Sequence, residues 1–116
     1  MIKLDIYQEE RPWGNFRQFS KNENVTVKII TVKPNQSLSL QSHQKRTEFW
    51  KVIKGNGLVE IDTEKKEAQE GDEFDIILGA KHRLSAGLNG IVVLEISRGE
   101  FDENDIFRYE DNYGRI

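Results

Sequence analysis

The sequence predicts an all-β domain of barrel-like architecture. Three observations carry this reading. Short runs of β-branched or alternating apolar residues recur along the chain, glycine- and asparagine-containing turns separate them at short intervals, and almost nothing reads as a helix.

Taken in order, residues 1–24 form an N-terminal arm in which Arg11-Pro12-Trp13-Gly14 marks a turn, Pro12 fixing φ and Gly14 loosening the chain. Val25–Val32, VTVKIITV, is β-branched and reads as a strand; Leu38–His43 alternates apolar and polar side chains as a half-buried strand does. The stretch EFWKVIKGNGLVEID predicts two strands joined by a hairpin turn at Gly55-Asn56-Gly57. EGDEFDIIL and HRLSAGLNGIVVLEISR predict further short strands, separated by Gly71-Asp72, Gly79 and Gly87-Leu88-Asn89-Gly90. Residues 99–116 form a polar C-terminal arm with spaced aromatics, and the acidic runs Glu64–Glu70 and Asp102–Asp105 read as solvated loops. Trp13, Trp50, Phe16, Phe49 and Phe74 read as packing residues. The expected organisation is one domain, 1–116, with a core over roughly residues 25–98 between the arms.

Composition narrows the function. Hydrophobic residues are 36% and charged residues 32%, the balance of a folded domain. No apolar run approaches the ~18 residues that span a bilayer, and the N-terminus lacks the layout of a secretion signal, so the cytoplasm is the expected location and no membrane partner is expected. A net charge of −3 without a basic block argues against nucleic acid as a partner. The absence of cysteine excludes disulfides and thiolate metal sites, leaving nitrogen and oxygen ligands.

Gln41 and His43, two apart in a predicted strand, project to one face, and a short turn can return Glu48 to the same place. His82, the second of two histidines, follows Gly79-Ala80-Lys81 at a predicted strand start. Two imidazoles, a carboxylate and an amide oxygen suit a divalent cation. Spacing alone is equally compatible with two structural histidines.

The succession Lys33-Pro34-Asn35-Gln36-Ser37-Leu38-Ser39-Leu40-Gln41-Ser42-His43, then Arg46-Thr47-Glu48-Phe49-Trp50, then Gly55, resembles the first cupin motif as written in type II mannose-6-phosphate isomerases. Gly71-Asp72 through Gly79 to His82 resembles the second motif. RPWG with Phe16 near the start, and Asp105-Ile106, Arg108, Glu110-Asp111 and Tyr113-Gly114-Arg115 near the finish, resemble the ends of the same family. The chain departs from the family pattern at Gln44, Lys45, Phe49, Ile77 and Ala86, none of which is an expected ligand.

The resemblance implies a cupin-type (double-stranded β-helix, or jelly-roll) barrel with short N- and C-terminal arms, here without the pyrophosphorylase domain to which the module is often fused. It implies a divalent metal ion, zinc first and cobalt or manganese next, held by Gln41, His43, Glu48 and His82. The implied reaction interconverts mannose 6-phosphate and fructose 6-phosphate through an enediolate, feeding mannose into polysaccharide precursors. Arg46 is the expected catalytic residue, Lys28 and Ser39 are expected to bind the phosphate, and Arg108 and Arg115 to close over it. A salt bridge to Glu48 is the plain alternative for Arg46. The expected partners are a small-molecule sugar phosphate and a second copy of the chain in a homodimer, with the N-terminal strand as the exchanged element. Two further readings use the same site: a non-catalytic cupin that binds a sugar or sugar phosphate, and a cupin acting on another sugar phosphate or nucleotide sugar.

Overall fold

The computed structural model describes residues 6–116 and contains nine strands: β1 (Tyr7–Arg11), β2 (Gly14–Gln18), β3 (Val25–Val32), β4 (Leu40–Ser42), β5 (Arg46–Ile61), β6 (Glu64–Gln69), β7 (Glu73–Ile76), β8 (His82–Gly99) and β9 (Phe107–Glu110). No helix among the described residues is long and apolar enough to cross a membrane.

Two long strands organise everything else. The N-terminal part of β5 pairs with the C-terminal part of β8, from Arg46↔Gly99 to Gly55↔Ile91, and its C-terminal part pairs with the start of β8, from Gly57↔Ala86 to Ile61↔His82. Between the two ladders the register slips, so Gly87–Gly90 bulge out of β8 opposite Asn56. Each long strand thereby serves two leaves. One leaf holds β3, the second half of β8, the first half of β5 and β7; the other holds β6, the second half of β5, the first half of β8, β4 and β9.

The expected hairpin at Gly55-Asn56-Gly57 is therefore a bend inside one strand, and Gly87–Gly90 interrupts β8 without ending it. The glycines are required for close approach rather than for reversal. A Cβ on Gly55 would lie 2.1 Å from the Gly90 carbonyl oxygen, and one on Gly57 would lie 2.0 Å from that of Ser85. The reversal comes later, at Asp62-Thr63, where Asp62 takes φ +52° and Ile61 pairs with Glu64. The acidic run beginning at Glu64 is accordingly strand β6, with only Ala68 buried, and not a loop. A solvated edge strand that buries one small residue leaves almost no apolar signal to read.

The interior between the leaves is apolar at one end. Val32, Trp50, Val52, Val59, Ala68, Ile76, Ala80, Leu84, Ile91 and Val93 form one buried cluster, and each large member stabilises the fold by about 1.5–3 kcal/mol through removal from water. Among the described residues the hairpin β1–β2 pairs only with itself. Trp13, in its turn, is consequently 73% exposed rather than packed, while Trp50 and Phe49 are buried as expected. Phe16 and Phe74 are half-buried.

The fold makes unequal demands on its glycines. Gly55→Ala, which places a methyl into backbone, should cost more than about 2 kcal/mol of unfolding free energy. Gly71→Ala, with φ +91° but nothing within 4 Å of the new methyl, should cost only about 1 kcal/mol. Chemical denaturation of the two variants compares them directly, and equal losses would refute close approach as the reason for Gly55.

Candidate metal centre

The other end of the interior is polar, and the strand order explains how. Glu48 lies on the first half of β5, facing Ser97 of β8 and Ile76 of β7 in register. His82 opens β8 after a turn in which the Ala80 amide donates to the Ile77 carbonyl. His43 follows β4 directly, and its own carbonyl accepts from the Gly79 amide at 2.9 Å, so the two histidine-bearing loops are bonded to each other. Gln41 is the register partner of both His82 and Arg108, which directs all three side chains to one face.

The ligand atoms of His43, Glu48 and His82 lie within 4.8 Å of one another, and the residues are 4%, 4% and 1% exposed. Their hydrogen bonds fix what each offers. His43 Nδ1 donates to the Asp105 carbonyl at 2.7 Å and His82 Nδ1 donates to the Ala80 carbonyl at 2.9 Å. In the neutral rings this leaves both Nε2 lone pairs directed inward. His82 Nε2 stands 3.1 Å from Glu48 Oε1, and these two buried acceptors have no hydrogen-bond partner among the described residues. Only a proton or a cation between them removes that conflict.

Arg46 accounts for the rest of the charge. Its Nε donates to Glu48 Oε2 at 3.3 Å, Nη2 to His43 Nε2 at 3.2 Å and Nη1 to the Asp102 carbonyl at 3.3 Å. The salt bridge to Glu48 and a place at the cluster are thus one arrangement, not two. A metal ion on His43 Nε2 requires the guanidinium to give up that one contact. The donor set fits a divalent ion: two neutral imidazoles with their outer nitrogens anchored to carbonyls, one carboxylate, and the Gln41 side chain on the same face.

Burial alone would raise the Glu48 pKa, but His82, His43 and Arg46, all facing the carboxylate, outweigh it and bring it down to about 2. Glu48 is a carboxylate at any working pH. Burial lowers the His43 pKa, against the opposing pull of the Asp105 carbonyl and of Glu48, and so favours the neutral, ligating ring.

The sequence reading missed Glu95. This residue, 5% exposed, faces Lys28 across β3 and Trp50 across β5. It accepts from Trp50 Nε1 at 3.0 Å and from Ser97 Oγ at 3.4 Å. Burial, reinforced by the negative charge of Glu48, pushes its pKa up to about 7. An acid within the β-branched run IVVLEIS was the available signal, since a carboxylate on an inward-facing position of a core strand has to be explained. Asp105 was also missed: its carboxylate accepts from the Gln44 and Lys45 amides, each at 3.0 Å, and clamps the turn that carries His43.

The expected substrate residues separate. Lys28 stands at the rim with Nζ 3.2 Å from Glu103 Oε1. Ser39 is buried just ahead of β4. Arg108, beside Gln41, has a buried Nε with no hydrogen-bond partner among the described residues. Arg115 is not brought to the cluster; its guanidinium is held by Asp111 at 2.8 Å, and the residue lines an outer cavity with Lys33, Gln36 and Tyr113.

Residues 3–111 match the family described as mannose-6-phosphate isomerase C-terminal. The chain belongs to this family. Mannose-1-phosphate guanylyltransferase ManC of Salmonella typhimurium (strain LT2) is 40% identical over 108 residues, 91% of this chain and 22% of that protein. The chain spans less than a quarter of the length of the curated relatives it matches (22%, 24% and 23%). Among solved structures, a cupin protein from Bacteroides fragilis is 26% identical with a TM-score of 0.60, over 70% of this chain and 74% of that one. The capsular polysaccharide assembling protein CapF from Staphylococcus aureus is 18% identical with a TM-score of 0.69, over 93% and 33% of the two chains. The fold of this chain is the cupin jelly roll.

Two outcomes follow for the centre. Asp105→Ala should weaken metal binding about 10–100-fold in a chelator competition; unchanged affinity would show that the clamp does not orient His43. A Glu95 pKa raised from 4.5 to about 7 contributes stability that is present below the unfolded value and lost as pH rises to about 7. Glu95→Gln should therefore gain on the parent by up to a few kcal/mol between pH 4.5 and 8, measured by denaturant titration; a pH-independent difference would contradict a neutral buried Glu95.

Proposed function

We propose that this chain is a metal-dependent aldose–ketose isomerase that interconverts mannose 6-phosphate and fructose 6-phosphate. The observation that carries the proposal is the buried His43–Glu48–His82 cluster, with two unpartnered acceptors aimed at one point, inside a chain that matches the isomerase family over residues 3–111. Zinc is the proposed ion, with cobalt and manganese as alternatives, held by Gln41, His43, Glu48 and His82. When bound, a divalent ion polarises the sugar oxygens and stabilises the negative charge that develops when C2 loses its proton.

The chain's own residues supply the remainder. Glu48, ionised throughout, fixes positive charge at the cluster. Glu95 is the proposed proton carrier: with a pKa near 7 it takes the C2 proton as a carboxylate and returns it to C1 as an acid, while the O2 hydroxyl proton passes to O1 of the enediolate. Arg46 places a permanent cation beside the enediolate, and Lys28 and Arg108 are the cations assigned to the phosphate. The C-terminal segment Phe101–Asp105 lies across the mouth, held by Arg46, His43 and Lys28, and keeps water from the reacting carbons.

Purified protein should convert mannose 6-phosphate to fructose 6-phosphate in a coupled assay, lose activity with chelator or on His43→Ala, and regain it when zinc, cobalt or manganese is restored to the parent. Glu95→Gln should lower kcat about 10²–10⁴-fold. Absence of turnover with every metal, in folded protein that binds the ion, would replace the isomerase by a sugar-phosphate binding protein.

A further inference from the structure

Trp50 is the largest fully buried side chain among the described residues, and packing alone would ask of it only an apolar ring. Its nitrogen has a separate task. Nε1 donates to Glu95 Oε2 at 3.0 Å, across the ladder in which Trp50 and Glu95 are register partners. The same ring meets His82 edge-on, the two ring centres 5.6 Å apart and their planes at 73°. One side chain thus touches a cluster histidine through its ring and a buried acid through its N–H.

The two oxygens of Glu95 are therefore unequal. Oε2 holds the indole N–H at an ordinary hydrogen-bond length, whereas Oε1 has only Ser97 Oγ at 3.4 Å, near the limit of such bonds. The indole N–H is a donor and nothing else, so it fixes the carboxyl in either charge state.

The donor is also immobile. Trp50 is paired through its backbone to Glu95 of β8 on one side and to Phe74 of β7 on the other. A ring enclosed at interior packing density does not follow a carboxyl that rotates. The bond from Trp50 consequently sets the plane of the Glu95 carboxyl.

We propose that Trp50 is a positioning residue whose indole N–H pins Oε2 of Glu95 and so presents Oε1 as the oxygen that carries hydrogen between C2 and C1 of the sugar. The proposal rests on the isomerase reading. Oε1 bonds to the proton as the C2–H bond breaks and its electron pair becomes the enediolate double bond; the same oxygen then gives the proton to C1. A pinned carboxyl returns the hydrogen it took, and one that turns surrenders part of it to water.

The test follows mannose 6-phosphate deuterated at C2, turned over in ordinary water by the metal-loaded full chain. Deuterium at C1 of the fructose 6-phosphate is read by NMR for the parent, for Trp50→Phe, and for a Trp13→Phe chain carrying benzothienylalanine, which has the shape of tryptophan without its N–H, at position 50. The parent and Trp13→Phe should pass a measurable share of deuterium to C1. Both chains that lack the N–H at position 50 should pass less, with kcat lower by about tenfold and with KM and metal affinity within about twofold of the parent.

Label passed per turnover is independent of how much of a preparation is folded, so a merely structural role leaves it unchanged. Parent-like deuterium retention in the benzothienylalanine chain would overturn the proposal, whatever its kcat. A parent that turns over but loses all deuterium to water would overturn it too, leaving the isomerase standing. A parent without turnover would remove the isomerase reading and this proposal together.

Discussion

The polar interior depends on one carboxylate. Glu48 is buried, yet it touches His82, Arg46 and, at 3.8 Å, His43, and none of these contacts survives its removal. An isolated buried carboxylate would be protonated instead of ionised. Here three cationic or ligating partners reverse that outcome, and the resulting negative charge raises the proton affinity of Glu95 behind it. One ionised and one protonatable carboxyl, placed in a single enclosure by their neighbours, is a division of labour set by environment and not by residue type.

How much of this could be read in advance depends on range. Gln41, His43 and Glu48 lie within eight residues of sequence, and strand alternation with one tight turn is enough to bring them together. His82 is legible only through the order of the family motifs, because nothing local says which strands of a barrel end beside each other. Strand β3 was legible to the residue from its β-branched composition. The bend at Gly55–Gly57 reads in sequence as a chain reversal, and Gly87–Gly90 as a break between strands, because the same residues serve these purposes too. A glycine that admits a neighbouring carbonyl and a glycine that turns the chain look alike until the partner strand is known.

The C-terminal segment shows the other limit. Asp102–Asp105 looks like a solvated acidic run, and two of its four contributions to the site are backbone carbonyls, those of Asp102 and Asp105, which no side-chain pattern reveals. Conversely Arg115, chosen for its resemblance to a family ending, finds its carboxylate four residues away and stays there. Short-range pairing on an exposed segment outcompetes a longer excursion whenever a partner is at hand.

The sharing of β5 and β8 between the two leaves has a consequence for how the molecule opens. Glu48 belongs to the first half of β5, and His82 to the first half of β8, so the cluster joins one leaf to the other. Neither leaf can detach as a unit, because detachment would sever each long strand from half of its own hydrogen bonds. Loosening in this molecule is thereby confined to the parts that hang from the shared pair, the β1–β2 hairpin and the outer strands, while Glu48 and His82 ride on the last backbone to exchange its amide protons.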